Sequence, residues 1–520
     1  MVEKKYILVS ISRNSLSHTK VHLCYETMSF RRMSNAPSQL PLVIIGAGII
    51  GTSTAYFLTH LNPTREIHIL ESSPCLFPSS SSRAGGFLAK DWFSSSLTDL
   101  GILSFSLHRT LAEKHSGSEK WGYAGSTGLS LITRRTAETL KPTSAAARGE
   151  SWLRDGASRA EAAASSGSHT PVEPSSSSLV NGTDLSDLPK WLSIASRPQV
   201  EVISSSDSTA QIDPVRFCNF LMGGCIAHGV HLHLRTSATR VLTDPDNGNV
   251  TAVELNTGIT IPCSQVLITA GVWTPTVLRD LFPNINHTCP VLKVSSLAGY
   301  SIVYRTPLPP DSADSSRSAP DTPPPTPSKG EKALCHAIFT TTDETASFSP
   351  EIFSRHAAHG ETEIYLAGLN TASLPFPPLA SDIPAPTAEH TSIQRLHNVS
   401  RQLLCEGGGG GGGEGGLGLE VVKMQVCHRP VMPDGKPVMG RIPPEELGGV
   451  AGVYTCVGHG PWGISLGPGS GLVMAELLEG RARLSAEVGL LSVEHALVAQ
   501  GSPLGSPARE GIWEGIEVGL

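Results

Sequence analysis

Gly46, Gly48, Gly51 and Glu71 are the residues of this chain whose types and spacing imply chemistry most directly. The glycines follow the apolar run Val43-Ile44-Ile45 and open a helical stretch. Beyond it, Ile67-His68-Ile69-Leu70-Glu71 is a second apolar strand closed by an acid. This is the order that a βαβ dinucleotide-binding unit requires. Gly46 allows the tight turn, Gly48 lets a pyrophosphate approach the backbone, and Gly51 lets the helix pack on the strand. The helix N-terminus then offers free N–H groups and a partial positive charge to the phosphates. Glu71, twenty residues beyond Gly51, is placed to accept the hydroxyls of an adenosine ribose, and would repel a 2′-phosphate. Spacing alone carries little. With 52 glycines in 520 residues such a match arises by chance about once in every two chains. Gly458-His459-Gly460-Pro461-Trp462-Gly463 also matches, but it lacks the preceding strand, following helix and acid of the first.

Ordered blocks and loose inserts alternate along the elements that must position these residues. Residues 38–95 form the first nucleotide-binding block. The stretch of about 136–189 is rich in Ala, Ser, Gly and Thr and is expected to be a disordered insert. Asp213 reads as a cap and Pro214 as the first turn of a helix that reaches about His228 and stops at Gly229. Val230 to Leu234 alternates as a strand, and Thr239 to Leu242 and Val250 to Leu255 read as strands of a small sheet. Val266 to Gly271 is a buried strand ending in a small-residue turn. Further inserts are expected at about 306–331, 374–390 and 407–416, the last an unbroken glycine tether from Gly407 to Gly413. Ser470 to Leu478 is read as a helix stopped by Gly480, and 499–520 as a disordered tail.

Bulk properties exclude several classes. A net charge of −7 and a pI near 6.3 give no reason to expect nucleic acid as a partner. Ten cysteines contain no C-x-x-C pair, which argues against a thiolate zinc site or a disulfide framework and suits a reducing compartment. No metal is expected. No apolar run approaches the roughly 20 residues that span a bilayer. Residues 1–37 mix basic residues and serines with Glu3 and Glu26, a poor match to a mitochondrial presequence, and are expected to be a disordered extension ahead of the fold. Cytoplasmic localisation is the expectation, with peripheral endosomal association as the alternative.

Four segments then fall in one order. They are the glycine loop with Glu71; Ser79-Ser80-Ser81-Ser82-Arg83-Ala84-Gly85-Gly86; the Ile212-Asp213-Pro214 helix with Leu267 to Trp273; and Cys427-His428-Arg429-Pro430-Val431-Met432-Pro433-Asp434-Gly435 with Gly458 to Gly471. This order resembles the D-amino-acid oxidase and glycine oxidase superfamily of FAD-dependent oxidoreductases, and within it fungal oxidoreductases of unassigned substrate. The resemblance covers about 38–132, 195–305 and 420–498.

The resemblance implies an α/β fold: a Rossmann-like FAD-binding domain with a central parallel sheet, interleaved with a smaller mixed-sheet substrate domain. The first would be drawn from 38–95, 205–290 and 424–498, the second from 96–204 and 291–423. Gly46, Gly48, Gly51 and Glu71 would hold the ADP half. Ser81, Ser82, Gly85 and Gly86 would line the pyrophosphate, ribitol and one flavin face. Backbone near Val241 would contact adenine, and Ala270 and Gly271 would close over the cofactor. Gly458, Gly460 and Gly463 would bring N–H groups to the negative charge of reduced flavin near N1, with His459 and Trp462 beside the ring.

In the resembled oxidases the arginine of the Arg-Pro motif forks onto the substrate carboxylate, which makes Arg429 the candidate substrate ligand; the competing reading is an ion pair. Cys427 occupies the position from which some members tether FAD, though a buried thiol is the default. Lys90 and Trp92 follow the flavin loop and are weighed as active-site residues, Lys90 as an oxygen-activating charge against a solvated lysine. The expected reaction oxidises a C–N bond of an amine or amino acid by hydride transfer to flavin N5, with oxygen or another acceptor reoxidising the flavin. A reading from another class is a protein that retains FAD and acts as a trafficking scaffold with little turnover.

Overall fold

The computed structural model describes residues 8–10, 22–24, 40–131, 188–189, 191–193, 200–306, 334–340, 348–358, 360–404 and 419–499. The expected inserts at 136–189, 306–331 and 407–416 and the tail at 499–520 lie almost wholly outside them. Within the first 39 residues, which form a unit by themselves, Leu8–Ser10 pairs antiparallel with His22–Cys24. The remaining residues form the second unit, built on two large sheets.

The first sheet has six strands in the order Val438–Arg441, Val453–Val457, Gln265–Ile268, Leu42–Ile45, Ile67–Glu71 and His231–Leu234. All pairs are parallel except the edge strand Val438–Arg441. Its inner strand Leu42–Ile45 reads as an unbroken apolar run because both faces are covered. Leu42 and Ile44 point into one core with Leu58, Ala55 and Val473. Val43 and Ile45 point into another with Val266, Val253 and Leu278. The helices Ile49–Leu61 and Gly463–Leu478 pack together against the first face. A three-stranded antiparallel sheet of Ala238–Thr243, Val250–Leu255 and Thr260–Pro262 lies over the second.

The second sheet is mixed, with nine strands. Towards one edge Ser295–Arg305 lies between the edge strand Glu420–Val431 and Thr362–Thr371, antiparallel to both. The amphipathic helix Thr391–Leu403 buries Ile393, Leu396 and Val399 on one face. Mixed sheets of both kinds in an α/β chain are the expected fold class.

Asp213 is the cap it was read to be: its carboxylate accepts the N–H groups of Val215 and Arg216, with Pro214 in the first turn. The C-terminal helix differs from expectation. It begins at Gly463, not Ser470, and runs through three further glycines and Pro468, so the Gly458–Gly463 match, read as lacking both, does follow a strand, Val453–Val457, and open a helix. Those glycines are contact points. A Cβ at Gly467 would stand 2.7 Å from Ile49 Cγ1, and one at Gly469 would stand 2.8 Å from Ser104 Cβ. Among the described residues, no helix is long and apolar enough to cross a membrane.

Candidate active site

The loop after Leu42–Ile45 is set by contact with the neighbouring strand end. Gly46 has φ +108°, and a Cβ there would lie 2.6 Å from the Thr269 carbonyl. Thr269 Oγ1 donates back to the Gly46 carbonyl at 3.0 Å. Gly51 packs on the same two residues, so the helix Ile49–Leu61 starts close against the sheet. Its N-terminus has no side-chain cap and no acid in the first turn. The Ile49 N–H donates to Ser81 Oγ at 3.0 Å. Glu71 is buried, accepting from Ala47 N–H at 3.3 Å and Ser73 N–H at 2.9 Å.

A cavity of about 950 Å³ opens from this point. Gly46, Gly48, Glu71, Ser81, Gly85, Ala270, Gly271, Cys427, Arg429, His459, Gly460 and Gly463 all lie on its wall. Residues far apart in sequence are stapled there. Arg83 donates to the Val426 carbonyl at 2.7 Å, Ser80 donates to the His428 carbonyl, and Gln425 donates to the Arg83 carbonyl at 3.1 Å.

The other expected residues lie behind the wall. Gly51 and Gly86 serve chain packing, the latter with φ +87° against the Ile212 carbonyl. Ser82 donates to the Ser79 carbonyl. Gly458 packs on Met432. Trp462 is buried against Phe93, 4.8 Å between ring centroids. Val241 pairs with Val253 in the small sheet, and Arg235 to Ala238, just ahead of it, form the wall instead. Lys90 is exposed, and Trp92 packs on Phe87 and Phe339, both off the cavity.

Several wall residues carry no motif. Residues 374–390, read from composition as an insert, place Phe376 to Ala380 on the wall, where the Pro377 carbonyl accepts the Trp273 indole N–H at 2.8 Å. Glu351, Phe353, Tyr365 and His428 complete it. The strands Glu351–His356 and Thr362–Thr371 that carry the first three are not read from the sequence.

The electrostatics are sharply divided. Arg429 NH1 donates to Asn370 Oδ1 at 2.7 Å, and Arg429 forms no ion pair among the described residues. Burial opposes the Arg429 cation, but Cys427, Tyr365 and Glu351 around it outweigh that and hold its pKa above the ordinary value. Burial pushes the Tyr365 hydroxyl up to about 12. His459 is pushed down to about 4 by burial, so it is neutral at physiological pH, with Nε2 3.0 Å from Ser470 Oγ.

The helix Gly463–Leu478 starts at this wall and, like Ile49–Leu61, has no side-chain cap and no acid in its first turn. Two helix N-termini, the first with its Ile49 N–H already on Ser81 Oγ, thus face one cavity. Gly48 leaves room beside the first, since a Cβ there would meet only Ser81 Oγ, at 3.4 Å. This donor set fits a long ligand with a diphosphate and a second site of negative charge.

A family model described as FAD dependent oxidoreductase matches residues 41–477. The chain belongs to the FAD-dependent oxidoreductase family. It is 24% identical over 485 residues to "Putative oxidoreductase C1F5.03c" of Schizosaccharomyces pombe, covering 89% of this chain and 100% of that protein. It is 22% identical to "Putative oxidoreductase TDA3" of Saccharomyces cerevisiae, covering 88% and 95% of the two. Its fold is similar to that of glycine oxidase from Geobacillus kaustophilus, with TM-score 0.57, 17% identity, and 88% and 98% of the two chains covered. FAD is the cofactor of this family, and the two helix ends, Glu71 and Ser81 are groups able to hold it.

Proposed function

We propose that this FAD-dependent oxidoreductase oxidises a C–N bond of a small amine that carries a carboxylate, an amino acid or close analogue. The observation that carries the proposal is Arg429, a partly buried guanidinium on the cavity wall that donates to a neutral amide and forms no ion pair among the described residues. A substrate carboxylate would engage it in the bidentate geometry that guanidinium favours.

Bound FAD supplies a two-electron acceptor, N5, for the hydride lost from the carbon beside the nitrogen. The chain contributes orientation and charge. Arg429 would anchor one end of the substrate, and the aromatic wall of Phe353, Tyr365 and Phe376 would exclude water around it. Neutral His459 and protonated Tyr365 are not poised as strong bases. None is compulsory if the amine enters neutral and its own lone pair forms the C=N bond. The N-terminus of Gly463–Leu478 would offset negative charge on the reduced cofactor.

The test is anaerobic mixing of the purified yellow protein with amines and amino acids while its visible absorbance is followed. Amino acids should bleach it and decarboxylated analogues should not. Arg429→Met should keep its colour yet lose that response. If decarboxylated amines bleach equally and Arg429→Met is unimpaired, the carboxylate reading is wrong. If nothing bleaches the protein, the retained-FAD scaffold becomes the better account.

A further inference from the structure

The geometry points to a divalent transition-metal site, of zinc type, on the far edge of the nucleotide-binding sheet, with Glu66, His68 and His231 as ligands. Cysteine spacing speaks only of thiolate sites, and this one uses imidazole and carboxylate. His68 stands on the strand Ile67–Glu71, Glu66 immediately precedes that strand, and His231 and His233 stand on the neighbouring strand. The register pairs His68 with His231 directly.

One carboxylate oxygen, Glu66 Oε1, lies 3.3 Å from His68 Nε2 and 3.3 Å from His231 Nε2. Ligands about 2.1 Å from a tetrahedral zinc ion are about 3.4 Å apart, so both separations already match. All three donor atoms lie within 4.8 Å of one another, and the two imidazoles stack at 4.7 Å with 20° between planes. Closing the remaining gap needs only a small turn of side chains that are partly exposed: 12% for His68, 36% for Glu66 and 32% for His231. That exposure leaves a fourth position for water, and a set of two histidines and one glutamate with an open position is a known zinc arrangement.

The support behind the ligands distinguishes this cluster from a chance surface ion pair. His68 Nδ1 lies 3.0 Å from His233 Nε2. A proton on His68 Nδ1 donated to His233 fixes the tautomer that presents the Nε2 lone pair outward, the role outer partners play around metal-bound histidines. A bound ion would cross-link the sheet's last strand, His231–Leu234, to the strand carrying Glu71.

Chelator-treated, FAD-loaded full-length protein should be titrated with Zn²⁺ by calorimetry, and with Co²⁺ by absorption. The expected result is one ion per chain, an intense tetrahedral Co²⁺ band and a higher melting temperature with Zn²⁺. His231→Ala and Glu66→Gln should abolish the band. His233→Ala should weaken affinity by about 10- to 100-fold, and the flavin spectrum of all three variants should report an intact fold. Binding that keeps its stoichiometry in His231→Ala and Glu66→Gln, or a weak octahedral Co²⁺ band, would overturn the site. Neither outcome bears on the substrate proposal.

Discussion

Gly299 and Arg429 occupy one space: a Cβ built on Gly299 falls onto the Arg429 guanidinium. Arg429 pairs in register with Leu297, and its side chain lies back over Gly299 on the adjacent strand. The absent side chain is therefore what seats the cation against Asn370. Gly299→Ala should push the guanidinium off its place while leaving the strand pairing intact. A displacement of about 1 Å at a positioning group can cost about 100-fold in rate. We expect kcat/KM for carboxylate-bearing substrates to fall on that order with flavin content unchanged, and normal kinetics in that variant would show that Arg429 does not position substrate.

Asn370 Oδ1 accepts a hydrogen bond from the Arg429 guanidinium at 2.7 Å. Hydrogen bonds to charged groups contribute about 1.5–3 kcal/mol. Asn370→Ala should therefore raise KM by roughly 10- to 150-fold and affect kcat less. Asn370→Asp should also hurt, because a carboxylate would neutralise the cation meant for substrate. Steady-state kinetics of the two variants checks this, and an Asp variant as active as wild type contradicts it.

Glu71 accepts two backbone N–H groups, from Ala47 and Ser73. An amide has one acceptor oxygen, so Glu71→Gln turns a donor toward one of those N–H groups and removes the charge proposed to draw ribose hydroxyls. FAD affinity should weaken by roughly 10-fold or more, read as flavin fluorescence released on dilution. Undiminished FAD retention would separate Glu71 from the ribose.

What sequence could show and what it could not follow from how local each signal is. The loop from Gly46 to Gly51 is legible because strand, turn, helix and acid occur within about thirty residues and each has one physical purpose. Asp213 before Pro214 is equally local. The start of the C-terminal helix is not legible. Gly463, Gly467 and Gly469 with Pro468 carry a strong loop signature, since glycine costs about 1 kcal/mol in a helix and proline about 3. Here Ile49 and Ser104 demand the small residues at 467 and 469. The wall at Phe376 to Ala380 was hidden likewise, because a proline-rich stretch reads the same whether it lines a cavity or links domains. Val241 carries the right strand, but the chain meets the cavity at Arg235 to Ala238. The position of Asn370 beside Arg429 depends on strand pairing across some sixty residues and has no sequence signature.

Pro468 also sets the last prediction. It removes the N–H that would bond the Ile464 carbonyl, and His108 Nε2 lies 2.9 Å from that oxygen to replace it. One residue on, Ser104 Oγ accepts the Gly469 N–H at 3.0 Å and donates to the Ser465 carbonyl at 2.7 Å. His108 and Ser104 thus mend the helix whose N-terminus faces the cavity. His108 must donate from Nε2, and its Nδ1 has no partner among the described residues. Burial lowers its pKa to about 4 from 6.5, against the raising effect of its bonds to Ile464 and Ser465. Between those values the unfolded chain binds a proton that the folded chain refuses, so stability is full above about pH 6.5 and falls as pH drops toward 4. The slope from one such ring is at most about 1.4 kcal/mol per pH unit. His108→Gln keeps an N–H donor for Ile464 without the titration, so its urea midpoint should fall less steeply than wild type between pH 6.5 and 4. Parallel pH profiles for the two proteins would mean that His108 is not held neutral by the fold.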